Sequence, residues 1–391
     1  MRGSRQSIGR FTQLTVVLLD TDEIFLEHNI MAEGPFLFIL ACALYAGVRS
    51  IGARGRSSHV WAAVAGATIA LATVVRTASL FEVPILAVAM AAARPVARGR
   101  WRAAATFLGA AVALLAGYAC ANLAAVGRFE IAPAPGWHLY ARVGRFADCR
   151  RFTPPPGTAG LCEHLPPTSR GWGPDYYLYA PQSPARRLFG HIGNHDSEVG
   201  AFALQAILHQ PGDYAEAVWV DVSRYFVPSL RPHGWYVGWD LDPQFQWSRQ
   251  GGRAFNEDMQ AQMTRFFDPF VQRRNRPSIA LLTAYGDVFG FGGVLLTVCT
   301  VLMIPGLFVG SRRSRAGVLL FGVGGLAQLL VPTLAELYMG RYLVPLAGLV
   351  AGGAAISVHS LLLVHAGRMS GVRRRVALAS QVRQNTARGA E

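Results

Sequence analysis

The sequence contains no lysine: all 37 of its basic residues are arginine. With abundant alanine and glycine, that absence points to a GC-rich genome, a statement about codons and not about function. Charge of either sign is scarce, 15% of 391 residues, against 52% hydrophobic. So little charge, arranged around long uncharged runs, excludes a soluble globular chain and indicates an integral membrane protein. HExxH, GxSxG and P-loop motifs are absent too. The run GVGGLA at 322–327 lies inside an apolar stretch with no strand before it, so it reads as packing glycine and not as a nucleotide loop. The basic N-terminus, MRGSRQSIGRFTQLTVVLL, has no A-x-A cleavage site and runs into an acidic stretch, so it does not read as a signal peptide.

Acidic residues number 23, which leaves a formal net charge of +14. A basic excess can mark a nucleic-acid binder. Here the arginines fall in short loops between apolar runs and in the C-terminal tail, the pattern of the positive-inside rule. The expected partner is therefore the lipid bilayer and not nucleic acid.

Counting positive loops predicts one self-consistent topology in a plasma membrane. A short apolar segment at 8–19 precedes a span at 30–48. A thin or re-entrant hairpin at 60–93 carries Arg76 and Glu82 at its outer tip, and 103–125 crosses outward. Residues 127–277 differ in character: rich in Pro, Trp, Tyr, Asp and His, they read as a soluble extracytoplasmic insert. Its first part, to about 183, reads as loop. The stretches EVGAFALQAILHQ and DYAEAVWVDVSRYFV read as helices stopped by Pro211 and Pro228, and 257–274 as a third. Residues 278–365 return to the membrane, with Gly348 and Gly352 spaced for close helix packing. Residues 366–391 form a basic cytoplasmic tail. The fold class is all-α and polytopic, with one outer insert.

Glu33, Arg76, Glu82, Asp287, Glu336 and Arg341 all fall at outer helix ends in this topology, with His28 just outside. Charges at helix ends can simply meet headgroups. The sharper reading is a polar cavity opening outward beneath the insert, because an ionisable group within a span is costly and normally faces a protein interior or water. Cys42, Cys120 and Cys299 lie in apolar runs and read as small hydrophobes. Cys149 and Cys162 lie together in the insert, where an oxidising compartment favours a disulfide. His191 and His195 have a metal-like spacing, but HIGNHD reads as a loop, so no metal site is expected. Trp172, Tyr176, Tyr177, Trp235, Tyr236 and Trp239 read as core of the insert or as sugar-stacking surfaces.

The order LEHNIMAEGPFLF, ALATVVRTASLFEVPIL, a large outer loop, and GRYLVPL late in the chain resembles the GT-C superfamily of membrane glycosyltransferases, of the protein O-mannosyltransferase and aminoarabinose-transferase kind. The segment LYARVGRFADC, with LCE after it, is similar to inserts of actinobacterial members. The resemblance covers about 8–106 and 279–363 and rests on order and loop size. It implies a GT-C-like helical bundle, lacking the family's first spans and the acidic first outer loop that bears the general base. It implies a polyprenyl-phosphate sugar donor and extracytoplasmic transfer, with the divalent-metal requirement open. Under it Glu33 is a supporting carboxylate, Arg76, Arg341 and Tyr342 hold the donor phosphate, and His28, Asp287 and Glu336 line the cavity. Two other readings stand beside it: a non-catalytic protein or pseudoenzyme displaying its outer domain, and a transporter or lipid flippase, which needs a polar pathway to the inner face.

Overall fold

In the computed structural model the described residues are 32–93, 100–171, 173–226, 292–335 and 342–388, and their regular elements are all helical. Among the described residues five helices are long and apolar enough to cross a membrane, as in a multi-pass membrane protein: Glu33–Gly52, Gly55–Val75, Trp101–Val126, Arg312–Ala335 and Pro345–Gly367. Two shorter apolar helices, Thr77–Ala92 and Gly293–Phe308, accompany them. The expected segment at 8–19, the expected helix at 257–274, and residues His28, Asp287, Glu336 and Arg341 lie outside the described residues.

The N-terminal half is built from α1 (Glu33–Gly52), α2 (Gly55–Val75), a 3-10 turn (Thr77–Phe81) followed by α3 (Glu82–Ala92), and α4 (Arg100–Val126). The stretch read as a thin hairpin is thus unequal. Its first arm has 21 residues, about 30 Å at 1.5 Å per residue, enough to cross hydrocarbon. That arm starts at Gly55 and not at position 60 because its early polar side chains are satisfied by neighbours. Buried Ser50 and Ser58 donate reciprocally to each other's carbonyl, at 2.9 and 3.0 Å. His59 Nδ1 meets Thr106 Oγ1 at 2.9 Å. At that same end Arg49 covers the Trp61 ring, 4.7 Å from its centroid. The second arm begins with the 3-10 turn and holds only 11 residues of α-helix.

Small residues set how closely helices approach. A Cβ on Gly66 would stand 2.1 Å from the Phe107 carbonyl oxygen, so α2 and α4 meet backbone to backbone. The C-terminal half uses the same device. It contains α10 (Gly293–Phe308), α11 (Arg312–Gly317), a π-helical turn (Val318–Val323), α12 (Gly324–Ala327), α13 (Leu330–Ala335) and α14 (Val344–Arg388). A Cβ on Gly353 would lie 2.6 Å from the Gly322 Cα, and one on Gly322 would lie 2.1 Å from the Met303 sulfur. The GVGGLA glycines therefore pack helices, with Gly322 set against Gly353 of α14.

Between the halves, in the stretch read as an insert, lie α5 (Pro135–Val143), α6 (Pro174–Tyr179), α7 (Pro184–Phe189), α8 (Asp196–His209) and α9 (Pro211–Tyr225), with two short 3-10 turns. The last two match the helical stretches read from sequence. The first corrects the loop reading, because PGWHLYARV is a helix that buries Trp137, Tyr140 and Ala141. Its start is capped from afar: the Asp196 carboxylate accepts from the Gly136 and Trp137 amides at 3.1 and 3.0 Å. A core of Trp137, Tyr140, Tyr177 and Phe202 follows. Tyr177 is fully buried, so it is core and not a sugar platform, and burial pushes its phenol pKa upward.

Cys149 and Cys162 are joined by a disulfide. Beside it, Arg150 holds the Asp148 carboxyl down to about 2, so the negative charge that pairs with Arg150 persists below the ordinary value of 3.8 and fades only as pH falls toward 2. Replacing both cysteines with serine is expected to weaken the insert by about 3 kcal/mol, the chain-entropy value for a loop of roughly this size. Faster tryptic cleavage within 127–226 of the double variant would register it; an unchanged cleavage rate would contradict it.

Candidate functional site

The insert end of the bundle gathers three residues that are distant in sequence. Glu33 opens α1 and is 3% exposed. Arg76 stands where α2 stops: its backbone is extended, with φ −145° and ψ 119°, between α2 and the 3-10 turn. Tyr342 lies at the entry to α14 and is 9% exposed. Arg76 Nη1 donates to Glu33 Oε1 at 2.9 Å. Its guanidinium carbon lies 4.8 Å from the centroid of the Tyr342 ring and 5.7 Å from that of Phe36. Phe36 follows Glu33 by three residues, so both side chains share one face of α1. The acid, the base and two aromatic faces thus converge from three helical elements.

The electrostatics follow from burial. A guanidinium and a carboxylate largely withdrawn from water cost several kcal/mol each unless they compensate one another. Here they do, and two aromatic faces add cation–π attraction of about 0.5–2 kcal/mol. Among the described residues the single side-chain hydrogen bond of Arg76 uses one nitrogen of its fork. The remaining N–H donors have the planar geometry that suits phosphate or carboxylate.

Glu82 behaves differently from the reading that grouped it with Arg76. It begins α3 and is fully buried, and its Oε1 accepts from Gln328 Nε2 at 2.8 Å. Among the described residues its Oε2 has no hydrogen-bond partner. The pair ties the N-terminal half to the junction of α12 and α13. Gln328 drew no notice in the sequence, although a lone amide in an apolar run is a usable signal, since such a group needs a partner there.

The insert is fastened onto this end. Tyr214 Oη donates to the Leu334 carbonyl at 3.0 Å. Tyr225, at the end of α9, shares one apolar core with Leu296, Tyr342 and Leu346. The ring that lies against Arg76 is thereby held in part by the insert.

His191 and His195 are both exposed, and His195 Nδ1 lies 3.2 Å from Glu198 Oε1. Among the described residues no group of three or more His, Cys, Asp or Glu could hold a metal ion. No protein-family model, no curated protein and no solved structure matches the chain.

Proposed function

We propose that the chain is a GT-C-like membrane glycosyltransferase that takes a sugar from a polyprenyl-phosphate donor at the insert end of its helical bundle. The observation that carries the reading is Arg76: a guanidinium within the apolar bundle, at a helix break, with one arm on Glu33 and its other donors uncommitted among the described residues. Transfer forms a bond from the acceptor oxygen to the anomeric carbon, breaks the bond from that carbon to the phosphate oxygen, and passes the acceptor's hydroxyl proton to a carboxylate base or to water. The charge left on the phosphate needs cationic donors placed in advance. Arg76 supplies them, Glu33 orients Arg76, and Tyr342 fixes the plane of the fork. Arg341, adjacent to Tyr342, is assigned as a second phosphate contact, and the insert covers the site from the extracytoplasmic side.

The test is a transfer assay with the full chain in proteoliposomes, using polyprenyl-phosphate donors carrying labelled sugars and a crude cell-envelope acceptor. Arg76→Gln is expected to lower transfer at least about 100-fold, the scale of removing one preorganised donor of a developing anion. Equal transfer by Arg76→Gln and wild type would overturn the site assignment.

A second reading is a transporter. What favours it is Glu82, a fully buried carboxylate between the two halves of an apolar bundle, where ionisable residues often mark ion or proton pathways. Under that reading Glu82→Gln abolishes solute uptake into vesicles; under the glycosyltransferase reading no uptake depends on Glu82.

A further inference from the structure

Inside the insert two guanidinium groups share one carboxylate. Arg142 Nη1 donates to Asp221 Oδ2, and Arg224 Nη1 lies 3.0 Å from Asp221 Oδ1. The Arg142 and Asp221 side chains are 3% and 5% exposed. Among the described residues Arg142 Nε and Nη2 are buried and have no hydrogen-bond partner. These two nitrogens form the side-on edge of the guanidinium, whose parallel N–H bonds match two oxygens of a phosphate. Leaving such donors dry costs about 1–3 kcal/mol each, more for a charged group. Among the described residues the cluster sets two cations against one anion.

The cluster's position gives it a direction. Arg142 lies on α5, which packs on α13 of the membrane half. Asp221 lies one turn before Tyr225 on α9, on the face that enters the core shared with Tyr342. We propose that Arg142 is an anion-binding residue, which takes a phosphate through its Nε–Nη2 edge at the seam between the insert and the C-terminal membrane helices. The proposal rests on the glycosyltransferase reading only for the source of that phosphate. A lipid-linked phosphate and a free phosphate present the same oxygens to the fork.

The experiment uses the full chain in detergent and follows its thermal midpoint in chloride, in inorganic phosphate and in farnesyl phosphate, at matched ionic strength. Four proteins are compared with wild type: Arg142→Lys, the paired variant Arg142→Met with Asp221→Asn, Arg76→Gln, and Arg142→Lys combined with Arg76→Gln. The paired variant removes cation and anion together, so it remains informative if a single replacement unfolds the insert. Phosphate is expected to raise the wild-type midpoint saturably. Arg142→Lys is expected to raise the half-saturating concentration at least about tenfold, because a lysine keeps the charge but not the fork. The paired variant is expected to lose the response, and Arg76→Gln to retain it for inorganic phosphate. Protection by farnesyl phosphate at far lower concentration than by inorganic phosphate assigns the site to a lipid headgroup; equal potency assigns it to a free anion. Half-saturation unchanged in Arg142→Lys and in the paired variant, or no saturable response of wild type to either phosphate, would overturn the proposal. Retained Arg142-dependent binding in a chain that shows no transfer would count against the glycosyltransferase reading alone.

Discussion

Glu33→Ala is expected to destabilise the membrane half by about 3–5 kcal/mol, because it strands the Arg76 guanidinium in an apolar bundle without its counter-ion. Arg76→Ala removes the same ion pair from the other side and is expected to be destabilising as well. Removing both should cost much less than the sum, since no charge is then left alone, and the double-mutant coupling should reach about 2 kcal/mol or more. The two groups are 2.9 Å apart with side chains 4% and 11% exposed, so solvent screening is weak and the coupling should survive high salt. Unfolding of the purified protein by graded SDS in mixed micelles measures all three variants on one scale. Additive effects, or coupling that vanishes in high salt, would mean that the pair is a headgroup-level contact and not part of the bundle interior.

The second large effect concerns packing. Gly66→Ala is expected to cost about 3 kcal/mol, at the upper end for overpacking, because its new methyl would stand 2.1 Å from the Phe107 carbonyl oxygen, which is backbone and cannot rotate away. Gly109→Ala and Gly117→Ala supply the contrast. Both lie on α4 with open space around the added carbon, so alanine there should be neutral or stabilising by up to about 1 kcal/mol through helix propensity. The same unfolding titration separates the two classes. A mild Gly66→Ala would show that α2 and α4 stand further apart than described.

The residues of the candidate site were legible because a charge inside an apolar run is rare, and rarity is visible without a structure. Glu33 and Arg76 stood out for that reason, and Tyr342 because it follows Arg341 at the start of a span. Their union was not legible: Glu33 and Arg76 belong to antiparallel helices whose register is set by the far-end serines, Ser50 and Ser58, and each serine alone looks like loop. Glu82 was visible as a charge but its partner was not, since Gln328 lies 246 residues away and carries no charge. Helix α5 hid behind Pro135 and Gly136, which read as turn residues although proline is well tolerated at the first helical position. Its cap comes from Asp196, 60 residues on. Arg142 was hidden with that helix. In each case the missing information is a long-range pairing that satisfies a polar group, which local patterning does not encode.

The central claim is that Arg76 holds the phosphate of a polyprenyl lipid. The most direct measurement is native mass spectrometry of the full chain, purified in mild detergent and incubated with a polyprenyl monophosphate and with the matching polyprenol. Wild type is expected to retain polyprenyl monophosphate and not the alcohol, and Arg76→Gln to carry one polyprenyl monophosphate fewer per chain than wild type while keeping its annular phospholipids. Equal retention of phosphate and alcohol, or as many polyprenyl monophosphates per chain in Arg76→Gln as in wild type, would contradict the account.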